Sequence, residues 1–437
     1  MTDQLAIAGG APTVDRSLHR RWPDVRDEDR AAIDAVLDRG ILHGAQAPEI
    51  KGLERDWSHY LGVDHCLALN SGTAALHAAC AAIGIQPGDE VIVPAFTFIA
   101  TPHAVAHQGG VPVFCDVDPW SYNIDPSQIE RHITPRTRAI MPVHMHGLPA
   151  DMDEIMAIAA RHGLEVIEDA CQAHGARYHG KLVGTIAPTA AFSLNGTKNL
   201  AGGEGGLFVT QDPTYFLTAR RLSEFGEDVE EDLPPTELGA SRSYWSYGLG
   251  WNYRTQELPA AMARSQLRRL DEYNAVAQRN AGILTKGLEE IPGVVPPHVP
   301  EDRTSVYHKY RIRLVTTALD TDVSAVALRD SVLFALRAEG VEAVVWQLDA
   351  LQAYPAFRRA TIHTWHPRDD KEPLRPWDRQ TFPATAEMLD TSMVIGSMEH
   401  PLFIQDSALM ERYVAAFARV MEHLPAALSA PRPDSAG

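Results

Sequence analysis

A lysine in a glycine-rich setting is the first residue of this sequence that could do chemistry. Lys198 follows the apolar run Ala190-Ala-Phe-Ser-Leu194 and lies in Ser193-Leu-Asn-Gly-Thr-Lys-Asn-Leu-Ala-Gly-Gly-Glu-Gly-Gly206. A lysine held away from water and near cationic groups has a lowered pKa and can condense with a carbonyl. The glycines fit close approach of a backbone to a ligand; an exposed loop lysine is the ordinary alternative. Asp169 ends the strand signal Glu165-Val-Ile-Glu-Asp169, where a carboxylate can neutralise a protonated ring nitrogen or cap a helix. In Asn70-Ser-Gly72-Thr73 the free N–H groups of a helix start suit a phosphate, or make a plain N-cap. Ser193 and Thr197 are further phosphate donors. Phe96 and Phe98 offer an aromatic face to a flat ring, or core packing. A nucleophilic amine, a carboxylate for a pyridinium, a phosphate cradle and an aromatic face are together the requirements of pyridoxal phosphate.

Other chemistries find less support. No G-x-G-x-x-G follows a strand signal, and no G-x-x-x-x-G-K-[ST], H-E-x-x-H or G-x-S-x-G occurs. His144 and His146 lack a third ligand of suitable spacing, so they read as polar residues at a strand end and no metal is expected.

The elements that must position these residues alternate. Short apolar strands are expected at 66–70, 90–94, 111–115, 138–144, 165–169, 190–194 and 206–210. Helices are expected near 27–39, 48–61 and 151–162, and from Ser71, where Leu76, Ala79, Cys80 and Ile83 follow a helical period. Such alternation predicts an α/β fold with a mostly parallel sheet sandwiched by helices. The four candidate segments would then share the edge formed by the strands' C-terminal ends, where open α/β sheets bind ligands.

Beyond about 255 the pattern changes to a smaller α+β region. A long helix is expected over 257–291, further helices near 323–339 and 408–424, and a strand near 341–346. Residues 306–314 alternate, with Lys309, Arg311 and Arg313 opposite Val306, Tyr310, Ile312 and Leu314, which predicts a half-exposed antiparallel strand. Residues 363–386 are rich in Pro, Trp and charge and predict a surface loop. The expected domains are 1–255, large and ligand-binding with an N-terminal arm; 256–430, a linking helix and smaller α+β unit; and 431–437, a flexible tail.

The 437 residues include 39 Lys+Arg and 57 Asp+Glu, a net charge of −18. That balance argues against nucleic-acid and anionic-membrane partners. With 45% hydrophobic residues a sizeable core is possible, and no run of eighteen apolar residues predicts a membrane span. The start lacks a basic, apolar leader, and four widely spaced cysteines read as reduced core thiols, so a cytoplasmic location is expected.

Five ordered segments resemble the DegT/DnrJ/EryC1/StrS family of sugar aminotransferases: Asn70-Ser-Gly-Thr-Ala-Ala-Leu76, Pro94-Ala-Phe-Thr-Phe-Ile-Ala-Thr101, Glu168-Asp-Ala-Cys-Gln-Ala-His-Gly175, the Lys198 segment, and Gly248-Leu-Gly-Trp-Asn-Tyr-Arg254. Val306-Tyr-His-Lys-Tyr310 resembles the strand that enters the family's small domain. The resemblance implies a fold type I enzyme that uses pyridoxal 5'-phosphate and works as a homodimer with shared active sites. It implies that Lys198 bonds the cofactor, Asp169 pairs with its ring nitrogen and Gln172 lies near the ring hydroxyl. Phe98 would stack on the ring, Gly72, Thr73 and Ser193 would hold the phosphate, and Asn252 would reach the neighbouring subunit's cofactor phosphate. It further implies amino transfer from L-glutamate or L-glutamine to a cyclic keto sugar, either nucleotide-linked or a keto-cyclitol, in amino-sugar or aminocyclitol natural-product biosynthesis. Leu5-Ala-Ile-Ala-Gly-Gly-Ala-Pro12 resembles the start of the cyclitol and aminobenzoate branches. A dehydratase branch replaces the lysine by histidine, so Lys198 favours amino transfer; dehydration or elimination is the alternative within the same chemistry, and the complete set Lys198, Asp169, Gln172 and Ser193 argues against a non-catalytic partner subunit.

Overall fold

The protein, a computed structural model, is described over residues 4–44, 46–227, 246–359 and 374–430. The first five strands are β1 (His65–Leu69), β2 (Glu90–Pro94), β3 (Val111–Cys115), β4 (Thr137–Ile140) and β5 (Glu165–Asp169). A small hairpin, β6 (Arg177–Tyr178) and β7 (Lys181–Leu182), precedes β8 (Thr189–Ser193) and β9 (Gly206–Thr210). The larger sheet has the order β1-β9-β8-β5-β4-β2-β3. Its pairings are parallel from β8 to β3, while β9 runs antiparallel to both β1 and β8. Only β9 is reversed, so its first residue meets the other strands' last ones: Gly206 faces Leu69 on one side and Ser193 on the other.

Strand side chains alternate between two cores. Leu67, Leu69, Ala191 and Phe208 pack toward the helix Gly72–Ala82, whereas Cys66, Ala68, Ala190, Phe192, Leu207 and Val209 pack toward Pro48–Leu61 and Glu257–Leu267. The sheet is thus covered on both faces, the expected α/β sandwich. The helix from Gly72 is not amphipathic as its period suggested. Every residue from Ala74 to Ala82 is buried, because helices Ala100–His107 and Pro213–Ser223 cover its outer side, and its alanines let them approach closely.

A second sheet is wholly antiparallel, in the order β10 (Val294–Val295), β12 (Tyr310–Leu314), β14 (Ser392–Ile395), β13 (Ala343–Val344). β11 (Arg303–Thr304) instead pairs with β6. The expected half-exposed strand is corrected here: all five residues of β12 are buried, with Arg311 1% exposed. β12 is an inner strand, and its arginine face is covered by His146 from a loop of the larger sheet and by Ser392 and Trp346 of the smaller unit. The expected helix over 257–291 divides into Glu257–Leu267 and Leu270–Leu288 at Arg269, whose ψ of 3° leaves the helical region. Arg269 there pairs with Glu28 at 2.6 Å and Asp29 at 2.7 Å. A helix, Pro383–Thr391, begins inside the segment expected to be a loop; residues 363–373 of that segment, and the expected tail 431–437, lie outside the described residues.

The N-terminal arm is irregular apart from single turns at Ala6–Ala8 and Arg16–Leu18. It lies against the smaller sheet, with Leu5 and Val14 in that sheet's core. Buried Glu339 holds it by accepting from the Ala6 amide at 2.7 Å and the Thr13 amide at 2.9 Å. Cys66, Cys80 and Cys115 are free and buried, Cys171 free and half-buried. Among the described residues no helix is long and apolar enough to cross a membrane.

Candidate active site

The reversed strand builds the site. β8 ends at Ser193, the chain loops out through Lys198, and β9 returns at Gly206 to the same edge. The loop is closed on itself: Leu194 N donates to Gly205 O at 2.8 Å, Gly202 N to Leu194 O at 2.7 Å, and Gly196 N to Gly203 O at 2.7 Å. Asn195 ties its base, accepting from Thr197 and donating to Glu204 at 2.8 Å. Lys198 is half-buried; its amide donates to Asn195 O at 2.9 Å, and its side chain makes no hydrogen bond or ion pair within the described residues. Burial lowers its pKa, against the pull of Cys171 and Asp169, so a larger share of the amine is neutral and nucleophilic near neutral pH.

Asp169 ends β5 on that edge and is 4% exposed. Its Oδ2 accepts from Thr101 Oγ1 at 2.7 Å and its Oδ1 from the Cys171 amide at 3.2 Å. The residues after it form turns, so Asp169 caps a turn and not a helix. Thr97 in turn meets Thr101 at 3.0 Å. Between these two threonines in sequence stands Phe98, 52% exposed, while Phe96 is buried. An exposed aromatic beside a buried carboxylate is a free face for a flat ring.

The helix Gly72–Ala82 starts against Ser193. Ser71 caps it by accepting from Ala74 N at 3.1 Å. A Cβ on Gly72 would stand 2.8 Å from Ser193 Cβ and 3.1 Å from Cys171 Sγ, and one on Gly206 only 2.2 Å from Ser71 O. Both positions therefore require glycine, and the helix's first N–H groups, half-buried Thr73 and Ser193 converge. Asn252 is exposed, and its backbone carbonyl accepts from Asn70 Nδ2 at 3.3 Å. Gln172 is buried and accepts from the His146 amide at 3.1 Å. Lys198, Asp169, Phe98, Gly72, Thr73 and Ser193 thus border one edge of the sheet. Gln172 stands just past the end of β5, and Asn252 flanks the helix start.

Sequence reading missed several neighbours. Thr101, which holds Asp169, carried a signal only in its place four residues after Thr97. His174 lies between Trp57 and Phe192 with its ring tilted to both, and burial pulls its pKa down to about 3. Glu168 is buried and accepts from the amides of Gly184, Ile186 and Ala187 and from His144 Nε2 at 2.9 Å. His144 Nδ1 accepts from the Ala150 amide, so this pair is a structural brace. His146, taken with His144 as polar residues at a strand end, receives a bond from Arg311 across the two sheets.

These residues fit pyridoxal phosphate. A partly desolvated amine with no competing partner, a buried carboxylate already oriented by two donors, an exposed aromatic face and a glycine-lined helix start match its aldehyde, ring nitrogen, ring face and phosphate.

Residues 23–366 match the model of the DegT/DnrJ/EryC1/StrS aminotransferase family. Among curated relatives, the GDP-perosamine synthase of Caulobacter vibrioides is 41% identical over 290 residues, 66% of this chain and 73% of that protein. A putative L-glutamine:3-amino-2,3-dideoxy-scyllo-inosose aminotransferase of Streptoalloteichus tenebrarius is 36% identical over 366 residues, 83% of this chain and 84% of that one. Among solved structures, 3-amino-5-hydroxybenzoic acid synthase superposes with a TM-score of 0.79 at 30% identity, covering 93% of this chain and 99% of that one.

Proposed function

This chain belongs to the DegT/DnrJ/EryC1/StrS aminotransferase family and is a pyridoxal phosphate-dependent sugar aminotransferase; on that premise we propose which of its residues do the work and on what. The amino donor is L-glutamate or L-glutamine. The acceptor is a cyclic keto sugar, nucleotide-linked or a keto-cyclitol, the two classes its relatives' names carry. Amino-sugar or aminocyclitol natural-product biosynthesis is the setting.

Bound, the cofactor supplies an aldehyde that condenses with primary amines and a ring that withdraws electrons from the amine-bearing carbon. Lys198 Nζ holds that aldehyde between turnovers and, once released, takes the donor's α-proton and returns it, for which a lowered pKa is suited. Asp169 would pair with the ring nitrogen and keep it protonated. Thr101 fixes the carboxylate. Phe98 would cover one ring face, Gln172 would lie beside the ring hydroxyl, and Gly72, Thr73 and Ser193 would hold the phosphate.

Homodimerisation completes the reading, with Asn252 reaching the partner's phosphate. It is supported by the exposed apolar residues Leu249 (89%), Tyr247 (69%), Phe225 and Trp251 beside Asn252, since patches of this kind mark interfaces. We place the domain division near 255, between the two sheets, and the enzyme in the cytoplasm. The observation that carries the proposal is Lys198 and Asp169 on one sheet edge beside a glycine-built helix start. Adding L-glutamine or L-glutamate to the purified yellow protein tests it. Bleaching of the visible band, and its return with a keto sugar or keto-cyclitol, is expected; a band indifferent to every amino donor would overturn it.

A further inference from the structure

The segment that follows β13 leaves the smaller sheet and meets three successive residues beside Phe98. Leu351 N donates to Ala95 O at 3.0 Å. The Trp346 ring stands edge-on to Phe96 with centroids 5.7 Å apart. Gln347 Nε2 donates to Thr97 O at 2.8 Å, a bond between residues 250 positions apart. The carbonyls on either side of Gln347 are pinned by arginines of the smaller unit: Trp346 O accepts from Arg311 at 3.2 Å and Leu348 O from Arg379 at 3.4 Å. Arg379 is itself fixed to Asp390 at 2.6 Å.

Gln347 carries two costs. Its φ is 70°, a left-handed backbone that glycine adopts freely and glutamine only under strain. Its Oε1 is buried and without a partner among the described residues, and a buried acceptor left unmet opposes folding. Opposite a carbonyl only the amide's N–H serves, so the side chain cannot turn round to relieve that. A strained residue with an unmet acceptor is kept in place by its bond to Thr97.

Thr97 is where that bond matters. Thr97 and Thr101 are both fully buried. Thr101 Oγ1 donates its proton to Asp169 Oδ2, so its oxygen, 3.0 Å from Thr97 Oγ1, can only accept from that hydroxyl. The donors therefore run from Thr97 to Thr101 to Asp169, each bond polarising the next where no water can replace it. The carbonyl that Gln347 holds belongs to the same Thr97, and its peptide leads directly into Phe98. Thr97 thus bears both the far end of the carboxylate's hydrogen-bond chain and the backbone of the exposed aromatic ring.

We infer that Gln347 is a positioning residue: from the smaller unit it holds Thr97, and through Thr97 it sets the aim of the Asp169 carboxylate and of the Phe98 ring. Its role rests on the aminotransferase reading, which supplies the pyridinium being aimed at. Gln347 itself touches no reacting atom.

The test uses the full chain loaded with pyridoxal phosphate and three readouts: amide hydrogen exchange over residues 95–103, visible circular dichroism of the bound cofactor, and steady-state kinetics. Gln347→Gly accepts the left-handed backbone and removes the side chain, while Gln347→Met keeps its length and removes the amide. Both should speed exchange over 95–103, weaken the dichroic band and lower kcat about fivefold, the effect of one neutral hydrogen bond, with KM for donor and acceptor within about twofold. Gln347→Glu sets a carboxylate against the Thr97 carbonyl. Its kcat relative to the unmodified enzyme should climb as pH falls from about 8 to about 5, because the protonated carboxyl becomes a donor to that carbonyl; Gln347→Met should show no climb. A merely structural residue would lower the melting temperature and leave the band and the pH profile alone. Should Gln347→Met not fold, Gln347→Gly, which relieves the backbone strain, decides the matter. Unchanged exchange and dichroism in Gln347→Gly, or a flat relative pH profile in Gln347→Glu, would overturn the assignment. Should the unmodified enzyme transfer no amine, the aminotransferase reading fails, while exchange and dichroism still judge Gln347 separately.

Discussion

Thr101 Oγ1 donates to Asp169 Oδ2 at 2.7 Å, and the two residues reach each other from different elements. One stands in the first turn of the helix Ala100–His107, the other at the end of β5. The bond holds one carboxylate oxygen and the Cys171 amide holds the other, so the group is aimed before any ring arrives. Asp169→Asn should retain cofactor and lose at least about a hundredfold in kcat, since an amide supplies no counter-charge to a pyridinium. Thr101→Val should lose about tenfold with the fold intact, the effect of one hydrogen bond to a charged group. Steady-state kinetics with cofactor content measured in parallel checks both; near-normal turnover in Asp169→Asn would assign the ring to another acid.

At the helix start, Gly72→Ala introduces a Cβ within 2.8 Å of Ser193 Cβ. The clash should destabilise the protein by about 1–3 kcal/mol, as overpacking does, and raise the dissociation constant of pyridoxal phosphate at least about tenfold. Unphosphorylated pyridoxal should be affected much less. Fluorescence titration of both compounds distinguishes the cases, and equal losses would move the phosphate away from this helix.

Lys198→Ala should be colourless in the visible and inactive, and Asn252→Ala should bind cofactor poorly. If each site draws on both subunits, mixing the two variants restores one intact site in each hybrid dimer, roughly a quarter of normal activity at equal mixing. No recovery after subunit exchange, verified by mass spectrometry, would count against a shared site.

The pH dependence of stability follows from His77, which is 1% exposed and meets Tyr253 at 3.0 Å and Gln108 at 2.9 Å. Burial brings its pKa down from 6.5 to about 4. Between those values the unfolded chain binds a proton that the native chain refuses, so stability falls as pH drops through this window and levels off below it. The contribution is about 3 kcal/mol across the window. Chemical denaturation at pH 7 and pH 4.5 should show a smaller acid-induced loss in His77→Gln than in the unmodified protein; an equal loss would show that His77 is not the group that titrates.

Much of the ligand-binding half was legible because its signals are local. Apolar strands ending in Asn70, Asp169 and Ser193 sit in short windows, and parallel order brings their ends to one edge. The second sheet was less so. The alternation of Lys309, Arg311 and Arg313 reads as a wet face, since sequence records polarity and not what covers it. Here His146, Ser392 and Trp346 cover it from distant parts of the chain. The same reason hid His146, whose meaning depends on a residue 165 positions away. The helix Pro213–Ser223 was overlooked although Asp212 and Pro213 mark its start, with Asp212 accepting from Thr214 N and Tyr215 N.

The strap around Val306 has a mechanical meaning. Val306 is bonded to Gly147 on one side and to Asn199 on the other, and Arg303 adds bonds to Pro149 O at 3.0 Å and Asp151 at 2.6 Å. Any rigid swing of the smaller sheet would have to shear these ties together, so the seam behaves as a weld and not as a hinge. The backbone of Lys198, one residue from the weld, is therefore tied to the sheet edge, and motion there is left to its side chain.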